Sequence, residues 1–135
     1  MRFCILLIIS ILLCGCTHYA PPGENHQVRV VTRIDVLTNT EASTQKHSYT
    51  DNEKMEVILY YLRNLQPDKA TPITPDTFRS DSYEICLTMS DGSQTIYRQI
   101  YDEYLQKNGG RWHSIDRALG GILPKVLDGM SSDGL

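Results

Sequence analysis

The chain has 135 residues, 13 basic against 16 acidic, with 41% hydrophobic residues, one tryptophan and four cysteines. That is one domain's worth of sequence, long enough to bury a modest core. The acidic balance argues against general nucleic-acid binding, which needs a basic footprint.

The chain opens MRFCILLIISILLCGC. Its apolar run, 3–13, is far shorter than the roughly 20 residues that cross a bilayer core. A basic residue (Arg2), a short apolar run and small residues before a cleavage point form the layout of an export signal. The order Leu13-Cys14-Gly15-Cys16 resembles the lipobox of bacterial prolipoproteins. The resemblance implies that Leu13 and Gly15 are the recognition positions. It also implies that Cys16 receives a diacylglyceryl group and becomes the N-terminus after cleavage. Two acyl chains anchor stably, where one binds only marginally. The alternatives are a plain secretory signal and an uncleaved apolar N-terminus. The resemblance covers residues 1–16 and carries nothing about the folded part.

Cleavage would leave 16–135, with 12 basic and 16 acidic residues, so the lipid and not charge would hold the chain at a membrane. Cys4 and Cys14 would leave with the signal and Cys16 would carry lipid. Cys86 would then be the one remaining thiol, with no intramolecular disulfide open to it. A strand cysteine of this kind is ordinarily a small half-buried hydrophobe.

Residues 17–27, polar with Pro21-Pro22-Gly23, read as a tether spanning on the order of 35 Å at about 3.3 Å per residue. In 28–38, Val28, Val30, Thr32, Ile34 and Val36 alternate with charged residues, the period of a half-buried strand. Polar residues 39–48 read as a loop. A helix follows, with Met55, Ile58, Leu59, Leu62 and Leu65 on one stripe. Thr50 and Glu53 have capping-box spacing, and Asp51 adds negative charge to the first turn. Pro67 ends the helix.

The proline-bearing stretch 66–82 reads as a surface crossover, although Pro72-Ile73-Thr74-Pro75 has the spacing of a polyproline recognition segment. Residues 83–115 read as a meander. Tyr83, Ile85, Leu87 and Met89 alternate with polar positions, and Asp91-Gly92 marks a hairpin. A two-residue loop pairs Leu87 with Ile96 and puts Ile96 and Ile100 on the core face. A three-residue loop pairs Leu87 with Thr95. The first is the expectation, because it adds apolar residues to the core. Further turns fall at Asp102-Glu103 and Asn108-Gly109-Gly110, leaving 111–115 as a last strand. The tail forms a weak helix capped by Asp116, with Leu119, Ile122, Leu123, Val126 and Leu127 on its stripe and Gly120-Gly121 and Pro124 weakening it.

The expected architecture is α+β: an antiparallel sheet of four to five strands, one long helix packed on it and a short C-terminal helix. The expected organisation is signal 1–15, lipidated N-terminus and tether 16–27, domain 28–130 and frayed end 131–135. His18, His26, His47 and His113 lack metal-ligand spacing, so neither a metal nor another cofactor is expected. No nucleophile elbow or phosphate-cradling glycine loop occurs, which argues against an enzyme.

Tyr97, Tyr101, Tyr104 and Trp112, with Arg98 and Arg111 nearby, are residue types that dominate binding hot spots, so they form a candidate interaction surface. They are also ordinary strand residues that pack across a sheet. The leading expectation is a lipid-anchored, extracytoplasmic, non-catalytic interaction domain with an envelope protein partner. A lipoprotein holding a small ligand between helix and sheet comes second, and a small envelope enzyme third.

The lipobox yields a direct expectation. The intact mass of membrane-extracted protein should match a chain beginning at Cys16 plus diacylglyceryl, and Cys16→Ser should lose that modification. An unmodified full-length chain in the membrane fraction would overturn the reading.

Overall fold

The computed structural model describes residues 28–65, 67, 75 and 81–131. Cys16, Leu13 and Gly15, the tether, most of the proline-bearing crossover and residues 132–135 lie outside the described residues. The described residues form an α+β unit. Its six strands are β1 (Val31–Asn39), β2 (Thr44–Tyr49), β3 (Ser82–Met89), β4 (Gln94–Ile100), β5 (Tyr104–Lys107) and β6 (Trp112–Ser114). Its helices are α1 (Asn52–Asn64), α2 (Arg117–Gly120) and α3 (Leu123–Ser131). The strands form one antiparallel sheet in the order β2-β1-β3-β4-β5-β6.

Six strands replace the expected four to five because residues 44–49 form β2. All of β2 except Tyr49 is exposed. With no buried face along most of its length, it carries no apolar alternation to announce it. The first strand also begins later than its valines suggest, and Val28 and Val30 are exposed. A bulge between Val31 and Arg33 shifts the register against β3. Val31 therefore packs against the core on one side of the bulge, and Ile34 and Val36 on the other.

Helix α1 is capped by Asp51 and not by Thr50: the Asp51 carboxylate accepts from the Glu53 and Lys54 amides at 3.0 and 3.1 Å. Such a cap contributes about 0.5–2 kcal/mol. Met55, Ile58 and Leu65 are buried as their spacing requires, while Leu59 and Leu62 are half-buried and Tyr61 takes a core position beside them. These side chains meet Ile34, Val36, Ile85, Leu87 and Leu105 from one face of the sheet. The tail divides into α2 and α3 at Gly121 and Ile122. Leu123 and Met130 enter the core, whereas Leu119 and Ile122, expected on the buried stripe, are 36% and 41% exposed.

The β3–β4 hairpin uses the three-residue loop. The Gly92 amide donates to the Met89 carbonyl, the Met89 amide donates to the Ser93 carbonyl, and Gly92 has φ +82°. Leu87 therefore pairs with Thr95, and Cys86 pairs with Ile96. The expected register is off by one residue, which sends Ile96 and Ile100 to the face opposite the helices. The turn decides the register here; the apparent gain in core residues does not.

Both helical segments lie on one side of the sheet, and a buried polar joint locks them there. Gln99 is 1% exposed, on the helix-facing side of β4. Its Oε1 accepts from the Tyr61 hydroxyl at 2.5 Å, and its Nε2 donates to the carbonyls of Gly120 and Tyr101, both at 3.0 Å. Gly120 sits so close to the Asp102 backbone that a β-carbon would overlap the Asp102 carbonyl. Burial, partly offset by the bond to Gln99, pushes the Tyr61 hydroxyl far above its ordinary pKa, so it remains a donor throughout the physiological range.

Thermal unfolding should separate three substitutions. Tyr61→Phe should destabilise by about 1–3 kcal/mol by stranding the Gln99 carbonyl oxygen, and Gly120→Ala by about 1–3 kcal/mol or more through overpacking. Gly129→Ala, in α3 with open space around it, should stabilise by about 0.5–1 kcal/mol. Equal effects at Gly120 and Gly129 would contradict the close approach to Asp102.

Candidate functional site

With all three helices on one face, the other face of the sheet is free of helical cover among the described residues. Cross-strand partners point to the same side, so the pairing register lists that face directly. One transverse row runs Leu37, Glu84, Arg98, Gln106, Trp112. The next runs Asn39, Ser82, Ile100, Tyr104, Ser114. A third, nearer the N-terminal end of β1, runs Ser48, Asp35, Cys86, Ile96.

The first two rows form a cleft of about 300 Å³ whose lining includes Asn39, Ser82, Glu84, Arg98, Ile100 and Trp112. Ile100 and Trp112 are 2% and 8% exposed. Above this apolar base, the Arg98 guanidinium donates from Nε to Glu84 Oε2 at 2.9 Å. The two charges cancel, so the cleft is polar without being strongly charged. The Asn39 Oδ1 accepts from the Thr44 hydroxyl at 2.9 Å, and Gln106 Nε2 donates to the Gly110 carbonyl at 2.8 Å. Among the described residues, the Trp112 indole N–H and the Ser82 hydroxyl make no hydrogen bond. Tyr83 also borders the cleft, and it and the six residues named all stand on strands or at a strand end, the more precise kind of scaffold for a binding constellation.

The third row is a charge cluster centred on Asp35, 8% exposed. Its carboxylate accepts from Arg33 Nε at 2.9 Å, from a second Arg33 nitrogen at 2.6 Å and from the Ser48 hydroxyl at 2.5 Å, with Lys46 at 3.9 Å. Burial opposes ionisation, but the bonds from Ser48 and Arg33 and the charges of Arg33 and Lys46 outweigh it. They hold the Asp35 carboxyl below its ordinary range. Burial, and then the negative charges of Asp35 and Glu84, push the neighbouring Cys86 thiol up. A raised thiol pKa means little thiolate and a poor nucleophile.

The four aromatic residues singled out from the sequence do not share one surface. Tyr104 and Trp112 lie on the open face. Tyr97 pairs with Ile85 and packs against the core on the opposite side, with the Lys107 ammonium 5.6 Å above its ring. Tyr101 occupies the β4–β5 turn at φ +52°, 47% exposed. The sequence singles out Trp112 and places Arg98 beside it. Glu84, Asn39 and Ser82 come from strands distant in sequence, and no local signal ties them to the site.

On the helical side, Val57, Tyr60, Tyr61, Leu119, Ile122 and Val126 line an apolar groove of about 520 Å³ between α1 and the C-terminal helices. Val57 and Tyr60 are 44% and 67% exposed there. The expected ligand position between helix and sheet is instead filled by the core side chains of Ile34, Ile58, Ile85 and Leu87. Among the described residues, no group of three or more His, Cys, Asp or Glu could hold a metal ion, and no helix is long and apolar enough to cross a membrane. Comparison with protein-family models, curated proteins and solved structures returns no match to this chain.

The Asp35 cluster sets a pH dependence. A carboxyl whose folded pKa is lowered contributes stability above its unfolded value, ordinarily 3.8. That contribution is lost as pH falls through the folded value. Asp35→Asn should therefore cost about 1–3 kcal/mol at neutral pH. As pH falls from neutral through the carboxylate range it should lose less stability than the wild type. Parallel stability–pH curves for the two proteins in urea unfolding would contradict this account.

Proposed function

We propose that the chain is a lipid-anchored, extracytoplasmic protein without catalytic function. It displays its folded domain at the cell envelope and binds there through the open face of its sheet. The observation that carries the reading is the cleft over Glu84, Arg98, Ile100 and Trp112, built on the face that the helices leave uncovered. The lipobox-like Leu13-Cys14-Gly15-Cys16 supports the anchor, with Leu13 and Gly15 as recognition positions and Cys16 as the lipidated residue. Two acyl chains on Cys16 supply the membrane attachment.

Binding is favoured over catalysis by the state of the polar groups on this face. Glu84 is engaged by Arg98, Asp35 is engaged by Arg33, Ser48 and Lys46, and the Cys86 thiol is pushed up. General acid–base or nucleophilic work calls for groups poised in the opposite sense. A small-ligand-binding lipoprotein is the second reading, favoured by the confined volume of the cleft; its ligand site then lies on the open face.

Photo-crosslinking in intact envelopes tests the working surface. A crosslinker at Gln106, on the open face, should give adducts that one at exposed Glu56 on α1 does not, and Cys16→Ser should move the chain out of the sedimenting membrane fraction. Adducts from Glu56 alone would overturn the open-face assignment. A Cys16→Ser chain that still sediments with membranes would overturn the lipid anchor.

A further inference from the structure

The open-face cleft has a chemistry that selects among ligand classes. Resting on the reading of that face as the binding surface, we propose that the cleft is a saccharide site that takes a neutral sugar of one or two rings.

The first argument is charge. Arg98 is the one cation among the six lining residues named above, and Glu84 neutralises it at 2.9 Å. A phosphate, sulfate or carboxylate ligand would have to share Arg98 with Glu84 and meet the repulsion of that carboxylate, and a cationic ligand would meet the corresponding repulsion from Arg98. A neutral ligand meets neither cost.

The second argument is the layout of polar and apolar groups. Ile100 and the Trp112 ring, 2% and 8% exposed, form a floor of which only a small edge is accessible. Asn39, Ser82, Glu84, Arg98 and the indole N–H supply donors and acceptors around it. A sugar ring has the matching make-up: a small C–H patch that meets the apolar edge, and a rim of hydroxyls that both donate and accept. A purely apolar ligand would leave the polar groups around the cleft unpaired, and each such loss is costly. The third argument is size. About 300 Å³ stands at the lower end of ligand cavities, which suits one or two rings and excludes a large cofactor.

Rigidity completes the case. Four strands, β1, β3, β4 and β6, contribute the lining residues, and their register fixes the spacing before any ligand arrives. A site formed in advance loses little side-chain entropy on binding, which is how a small polar ligand can be held at all.

Trp112 is the chain's sole tryptophan, so its emission reports on the cleft without labelling. Detergent-solubilised full chain is titrated with maltose, lactose, cellobiose and chitobiose, and with glucuronate and galacturonate as anionic comparators. At least one neutral sugar should give a saturable change in emission, matched by calorimetry. Glu84→Gln leaves Arg98 without its partner while keeping the side-chain shape. It should weaken that sugar by about tenfold and strengthen the uronates. Trp112→Phe should weaken binding in calorimetry, and Tyr60→Ala, in the helical groove, should leave it unchanged.

A flat response to every neutral sugar overturns the proposal, as does binding confined to the uronates, or equal binding by wild type and Glu84→Gln. Because the crosslinking experiment reads the open face whatever the ligand, adducts from Gln106 together with a flat sugar titration would retire the saccharide and keep the binding surface. Loss of both would retire the surface itself.

Discussion

One buried side chain, the Gln99 amide, sets the relation between the two layers of this fold. Its oxygen is held by the Tyr61 hydroxyl from α1, and its nitrogen by the backbone carbonyls of Gly120 and Tyr101. A buried amide must find all these partners or lose the energy of being desolvated. Helix α1, strand β4 and the end of α2 therefore cannot shift independently. Apolar packing alone tolerates many rearrangements, whereas a directional network selects one. Gly120 belongs to the same joint, because only a residue without a β-carbon lets α2 sit against Asp102.

The asymmetry of the sheet follows. With the joint on one face, both helical segments and nearly all the apolar core collect there, and the other face is left to Asp35, Glu84, Arg98, Gln106 and Trp112. Ion pairs, Arg33 with Asp35 along β1 and Arg98 with Glu84 across β3 and β4, keep this second face close to neutral. Neutrality matters more to its chemistry than the number of its charges, because it removes the incentive to bind ions. Burial, and then the charges of Asp35 and Glu84, push the Cys86 thiol up despite the nearby Arg33, which leaves it a poor nucleophile.

What could be read from residues alone divides along physical lines. The apolar spacing of Met55, Ile58 and Leu65 announces α1 because burial on one face imposes a period. Ile34 and Val36 announce β1 for the same reason. Strand β2 is silent because an exposed edge strand imposes no such pattern. The hairpin register is also hidden in the apolar residues. Ile96 and Ile100 look like core, yet Gly92 at positive φ dictates a three-residue loop and sends them to the other side. Gln99 gives no warning either, since a glutamine reads as solvent-exposed unless its partners, 38 and 21 residues away, are known. In the candidate site, the aromatic and arginine members stand out by type. Asn39, Ser82 and Glu84 become members only through the register of β1 and β3 against the meander.

The strand order carries a kinetic meaning. Strands β3 to β6 pair with their immediate neighbours in the chain, so that meander can close through short loops. Strand β1 must instead find β3 across the whole of β2, α1 and the crossover, as in the pairing of Val36 with Ile85. Closing so long a loop costs chain entropy before any pairing compensates for it, and non-local contacts of this kind slow folding. The β1–β2 hairpin, polar along its outer strand, can wait in water without exposing a greasy edge. The meander is thus the natural template, and the docking of β1 onto β3 is the event that commits the chain to its native state.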